Sequence, residues 1–248
     1  MLLADGSCVA NAPCYSAAGI VNAASNQPGT LAPNTWVSIY GTNLSTETAS
    51  RTSEDELPGF GGVNVLVNSV PALLSYVSPT QVNFLIPWDH GNEATIQLTR
   101  DGVYGPAFVV ALAACAPALF PIYPATNPPT VVAAHPDWTL VTPASPAQAG
   151  EYVILYATGL GPYSLAFDNE DNAVPASADP IAQRSQFTLL LDGKPVDDQL
   201  IEYVGAAPGF IGDYQINLQL PETVGPNPEI QIGLGGTLSP SGIHLTVE

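Results

Sequence analysis

Short runs of alternating apolar and polar residues recur along this chain, and each predicts a strand with one dry and one wet face. Val63, Val65 and Val67 alternate around Asn64 and Leu66; Val82, Phe84 and Ile86 around Asn83; Ile96 and Leu98 around Gln97. Later, Ile216, Leu218 and Leu220 alternate with Gln215, Asn217 and Gln219, and the closing run sets Ile243, Leu245 and Val247 against His244, Thr246 and Glu248. Pro and Gly bound these runs, at Pro58-Gly59, Asp101-Gly102, Asp192-Gly193 and Gly235-Gly236, as turns do. No longer run carries a helical period. The pattern therefore predicts an all-β chain built of β-sandwiches, in which one face of each sheet is buried and the other solvated.

The pattern also repeats. YVSPTQVNFLIP (Tyr76 to Pro87) returns as Tyr203-Val204 followed by YQINLQLP (Tyr214 to Pro221); TWVSIYGTNLS (Thr35 to Ser45) returns as EYVILYATGLG (Glu151 to Gly161). NVLVNSVPALLSYV (Asn64 to Val77) corresponds to TLLLDGKPVDDQLIEYV (Thr188 to Val204). The same blocks in the same order mark two homologous domains, expected at residues 20–115 and 116–248, with 1–19 as an N-terminal extension and 117–129 as a Pro-rich connection.

Composition changes the picture by exclusion. With 25 Pro and 22 Gly, helices are disfavoured, while 46% hydrophobic residues argue against disorder. Twenty-two acidic residues against Arg51, Arg100, Arg184 and Lys194 leave a net charge of -18. Four scattered cations cannot grip a phosphate backbone or an anionic membrane surface, so nucleic acid is not an expected partner. No stretch is long and apolar enough for membrane insertion. An acidic surface poor in Lys fits a secreted protein, outside the cell or on its surface. Met1 to Ser7 lack the basic and apolar parts of a signal peptide, so a cleaved signal is expected.

GIVNAASNQPGTLAPNTWVSIYGTNLS, GGVNVLVNSVPALLSYVSPTQVNFLIPW, EYVILYATGLGP and APGFIGDYQINLQLP, in that order, resemble the Solibacter-type C-terminal module of large secreted acidobacterial proteins. The resemblance covers about residues 19 to 248. Each half in turn is similar to an IPT/TIG immunoglobulin-like domain, whose first strand ends in a turn like Gly41-Thr42-Asn43-Leu44. This implies two tandem immunoglobulin-like β-sandwich domains, extracellular and non-catalytic.

Candidate chemistry is sparse. His90, His135 and His244 sit near turns or on wet faces, and no G-x-S-x-G presents a nucleophile, so no catalytic residue and no enzyme is expected. No cofactor motif occurs. Cys8, Cys14 and Cys115 lack the spacing of a zinc site. Cys8 and Cys14, around Asn11-Ala12-Pro13, are the expected disulfide, with Cys115 a buried thiol; a bond from Cys115 to either is the alternative. The acidic runs Ser53-Glu54-Asp55-Glu56 and Asp168 to Asn172 read as solvated loops, Asp168 and Asp171 being weak calcium candidates without an EF-hand pattern. Asn43-Leu44-Ser45 is a sequon read as a structural turn, and Lys194 in its turn is a poor isopeptide donor. Trp36 reads as core, whereas Trp88 and Trp138, beside turns, are candidates for stacking on sugars.

With no enzyme motif, function falls to surface or assembly. The expectation is a structural or adhesive protein that self-assembles head to tail, as a homopolymer such as a filament or surface layer. Strand addition would run through the N-terminal extension, with Val9, Ala10, Tyr15, Ile20 and Val21 as the exchanged residues. The alternative is a carbohydrate-binding module for a cell-surface polysaccharide.

Overall fold

A computed structural model describes residues 8–51, 59–88, 91–123, 126–163 and 174–248. The chain divides into two units, Met1–Ala114 and Cys115–Glu248. Each is an antiparallel β-sandwich with its own core.

In the first unit the strands are β1 (Cys14–Asn22), β2 (Trp36–Thr42), β3 (Ala49–Ser50), β4 (Val63–Val67), β5 (Val70–Pro71), β6 (Leu74–Val77), β7 (Gln81–Leu85), β8 (Glu93–Arg100) and β9 (Val103–Ala111). One sheet has the order β1-β2-β7-β6-β3 and the other β5-β4-β8-β9. Taken in chain order these are the A-B-E-D and C′-C-F-G sheets of an immunoglobulin domain. The second unit has β10 (Ala118–Leu119), β11 (Ala133–Ala134), β12 (Tyr152–Thr158), β13 (Phe187–Leu191), β14 (Lys194–Pro195), β15 (Ile201–Ala206), β16 (Tyr214–Gln219), β17 (Ile230–Leu234) and β18 (Thr237–Leu238). Its sheets, β10-β12-β16-β15 with β11 beside β12, and β14-β13-β17-β18, repeat the same plan.

The alternating runs place their apolar members inward. Val65, Val67, Val82, Phe84, Ile86, Ile96 and Leu98 are sealed in the first core, Ile216, Leu218 and Leu220 in the second. The closing run differs: Leu245 and Val247 are buried, but His244 and Val247 meet their neighbours through isolated bridges instead of a continuous ladder. The hairpin turns Asn68-Ser69, Asp101-Gly102, Asp192-Gly193 and Gly235-Gly236 all hold two successive residues at positive φ, as the tight type I′ loop requires.

One boundary differs from the sequence reading. Strand β1 starts at Cys14, inside the stretch read as an extension, and pairs with β2 of its own unit. A register shift between Tyr15 and Ile20, at Ser16-Ala17-Ala18-Gly19, interrupts its alternation. In the Pro-rich connection, Ala118 and Leu119 form β10 and are buried beside β12 within the second unit.

Candidate functional site

The repeated block owes its polar residues to the wet face of the A-B-E-D sheet. In the first unit Tyr40 lies opposite Gln81, and Asn83 lies opposite both Ser38 and Tyr76. In the second, Tyr156 lies opposite Gln215, and Tyr203 opposite Asn217. Gln81 Nε2 donates to Asn83 Oδ1 at 2.9 Å, and Gln215 Nε2 donates to Asn217 Oδ1 at 2.8 Å, so the same bond is made twice. Ser38 Oγ also donates to Asn83 Oδ1, at 2.8 Å. All these side chains are half-buried except Tyr40, which is exposed, and Ser38, which is buried. Burial pushes the Tyr156 and Tyr203 phenols up, and Tyr203 donates to Ala206 O at 2.7 Å.

Across the same strands several dry-face residues differ between the units, Ile39 against Leu155, Val82 against Ile216, Phe84 against Leu218 and Ile86 against Leu220, while Val37 and Val77 return as Val153 and Val204. Packing tolerates swaps among apolar residues of like volume. On the wet face Tyr40, Gln81, Asn83 and Tyr76 return as Tyr156, Gln215, Asn217 and Tyr203, while Trp36, Ser38 and Leu85 are replaced by Tyr152, Ile154 and Gln219.

A second feature is the turn His135–Leu140. Trp138 N–H donates to His135 O at 2.9 Å and His135 N–H to Thr139 O at 2.9 Å. This closes a turn followed by a left-handed residue, the place where a hairpin normally carries Gly. Here it carries Trp138, at φ 68° and 62% exposed. The conformation costs about 1–2 kcal/mol for a residue with a Cβ, and burial does not offset it. The turn is braced instead. Asp137 Oδ1 accepts from Thr139 N at 3.0 Å and Oγ1 at 2.6 Å, which lowers the Asp137 pKa. His135 Nδ1 meets Glu151 Oε1 at 2.5 Å, and Glu151 Oε2 accepts from Gln148 N at 2.8 Å. That carboxylate holds the imidazole pKa above its ordinary value.

Ser145 Oγ lies 3.2 Å from His135 Nε2, which with Glu151 gives the outline of a nucleophile triad. The same Nε2 is 3.1 Å from the Ser145 carbonyl oxygen, which can only accept. Nε2 therefore carries a proton and offers no lone pair to a serine, so the group acts as a clamp on the turn.

The other sequence candidates are placed as follows. Cys8 and Cys14 are bonded to each other; Cys115 is a buried free thiol, its pKa raised by burial. Val9 and Ala10 are exposed in the disulfide loop, whereas Tyr15, Ile20 and Val21 are buried in the first unit. Arg100 holds that loop down, donating to Asn11 O at 2.6 Å and Asn43 O at 2.8 Å; both asparagines are left-handed. Trp88 and Trp36 are half-buried, Trp36 on the wet face and not in the core. His244 Nδ1 lies 2.9 Å from Asn227 O, and Lys194 is exposed. His90, the run 53–56, Asp168 and Asp171 lie outside the described residues. Among the described residues no cluster of three or more His, Cys, Asp or Glu could hold a metal, and no helix is long and apolar enough to cross a membrane.

No family model matches the sequence, and no curated protein does. Solved structures with some likeness include a surface glycan-binding protein from Prevotella bryantii (14% identity, 93% of this chain, 42% of that one, TM-score 0.28). Another is a surface glycan-binding protein of a Bacteroides ovatus mixed-linkage glucan locus (13% identity, 88% and 43%, TM-score 0.32). A third is domains 5-6 of the S-layer protein SbsC (11% identity, 95% and 98%, TM-score 0.26). The chain spans less than half the length of the two glycan-binding proteins. At such scores the likeness assigns nothing to this chain.

Proposed function

We propose that this protein is a non-catalytic adhesive module of the cell surface or extracellular space that holds a neutral polysaccharide. The observation that carries the reading is Trp138, an exposed indole fixed in a costly backbone conformation by the His135, Asp137 and Glu151 contacts. Strain kept at an exposed position, with no packing to offset it, is a mark of a binding residue. An indole face suits the C–H faces of a sugar ring, and a chain of net charge -18 suits a ligand without negative charge. The Cys8–Cys14 disulfide fits an oxidising compartment. The test is affinity electrophoresis in gels containing neutral polysaccharides. Retardation of the parent protein that is lost in Trp138→Ala supports the reading; no retardation in any neutral polysaccharide rejects it.

A second reading, assembly by strand addition, is favoured by a different observation. Strand β9 is the last strand of its sheet; Leu31 pairs with its end at Ala111 and Leu112, and upstream it exposes Val103, Tyr104 and Val109. Such an edge is an acceptor for a strand of another copy. Because Tyr15, Ile20 and Val21 already serve their own unit, exchange through them would require β1 to leave β2. Filaments seen by electron microscopy that vanish in Val109→Lys would favour this reading.

A further inference from the structure

We infer that the Trp138 turn is a pH-dependent grip: with His135 as an imidazolium the turn holds the indole out for a ligand, and loss of that proton loosens it. The inference rests on the polysaccharide reading above and names the control of that same site.

The geometry asks for two ring protons. Nδ1 lies 2.5 Å from a Glu151 carboxylate oxygen, and Nε2 lies 3.1 Å from the Ser145 carbonyl oxygen. Both oxygens accept, so both ring nitrogens must donate, which only the imidazolium does. A neutral ring keeps one N–H. Glu151, as the charged acceptor, retains it at Nδ1, and Nε2 then turns a lone pair toward the Ser145 carbonyl. A partner for that lone pair stands ready, since Ser145 Oγ lies 3.2 Å from Nε2 and can donate to it. The ring therefore has two seats, one on the carbonyl and one on the hydroxyl of the same residue, and its proton chooses between them.

What moves with the ring is the turn. The His135 main chain makes both bonds that close it: N–H donates to Thr139 O and the carbonyl oxygen accepts from Trp138 N–H, each at 2.9 Å. Trp138 is held at φ 68° without burial, so the brace on its turn decides how much of the time the indole is presented. The charged groups that act on the ring are carboxylates, Glu151 ahead of β12 and Asp137 within the turn. Two more approach from neighbouring segments, Glu222 beside Gly150 and Glu248, whose Oε2 accepts from Gln148 Nε2 at 3.2 Å. All of them favour the imidazolium. With Glu151 first among the causes, the ring pKa is raised above 6.5, so the grip is complete below that value and fades as pH climbs through the raised one. A neutral polysaccharide carries no group that titrates there, so a change in affinity reports on the protein.

The test uses the full chain in affinity electrophoresis with a β-glucan, an arabinoxylan, a galactomannan and dextran, each run against a polysaccharide-free gel at the same pH. For a polymer the parent retains, affinity should fall about threefold or more from about pH 6 to about pH 9. Glu151→Gln should move the fall to lower pH. Ser145→Ala, which removes the neutral ring's partner and keeps the carbonyl, should move it to higher pH. Should either variant misfold, NMR on the parent protein decides: the Trp138 indole N–H signal should titrate with the same midpoint as the His135 ring. An indole signal that stays still while His135 titrates, or retention that does not change with pH, overturns the grip and leaves the polysaccharide reading standing. A parent protein that retains none of the panel at any pH overturns both.

Discussion

The hydroxyl of Tyr15 accepts from Leu98 N–H at 2.8 Å and donates to Pro106 O at 2.5 Å, so one phenol fills the gap where β8 and β9 lose register. Burial pushes its pKa up to about 12 and keeps it a neutral donor. The ring stands edge-on to Phe108, and a Cβ on Gly105 would come within 2.8 Å of Tyr15 Cε1. Tyr15→Phe leaves the Leu98 amide buried and unpaired, at about 1–3 kcal/mol. Urea denaturation should show that loss in the first unit; a midpoint equal to the parent's would refute the relay.

At the Trp138 turn, stability and binding should part. Trp138→Gly removes a Cβ from a left-handed site, a relief of about 1–2 kcal/mol set against the greater freedom of an unfolded glycine. The variant should therefore melt no lower than the parent, to within about 1 kcal/mol, while losing polysaccharide retardation. A large fall in melting temperature would mean the indole is packing and not presented.

The His135–Glu151 pair sets a pH dependence. Glu151 first, with the Ser145 carbonyl and Asp137 adding, raises the folded imidazole pKa above 6.5. A raised pKa contributes stability that is complete below the unfolded value and is lost as pH rises through the folded one. The urea midpoint should thus decline as pH rises above 6.5, and Glu151→Gln should flatten the decline. An identical slope in both proteins would exclude the pair as its source.

The C–C′ turns carry their own control. Asn68 Oδ1 accepts from Thr95 N at 2.8 Å and Asp192 Oδ1 from Glu229 N at 3.0 Å, each tying the turn to the neighbouring strand F. Asn68→Ala should cost roughly 1–2 kcal/mol through its left-handed backbone and the missing acceptor. Asn68→Asp, which copies the second unit, should cost much less. Equal losses from the two changes would show that the acceptor contributes nothing.

Much of this architecture could be read before any coordinates. Valine and isoleucine at every second position, stopped by Pro87, Pro221 and the Gly-bearing turns, left no fold open except paired sandwiches, and the short Cys8–Cys14 spacing pointed to its disulfide. What stayed hidden depended on register or on broken rules. Ser16 to Gly19 interrupt the alternation of β1, so an integral strand read as a tail. Gln81 and Asn83 were visible as repeated letters, but only pairing to β2 and β6 shows them between Tyr40 and Tyr76. Trp138 stands where turn chemistry expects Gly, so no pattern could have assigned its conformation. Arg100 reaches Asn11 and Asn43 across sequence distances that composition does not register.

In the first unit β1 enters beside the β8–β9 turn, where Arg100 holds Asn11, and β9 leaves at the opposite end, where Ala111 faces Glu93. Strands β1 and β9 thus run in the same direction, and Tyr15 bonds one to the other. A tensile load entering at the disulfide loop and leaving after β9 would pull the ladders lengthwise. Their rungs would share the force in shear instead of opening one at a time.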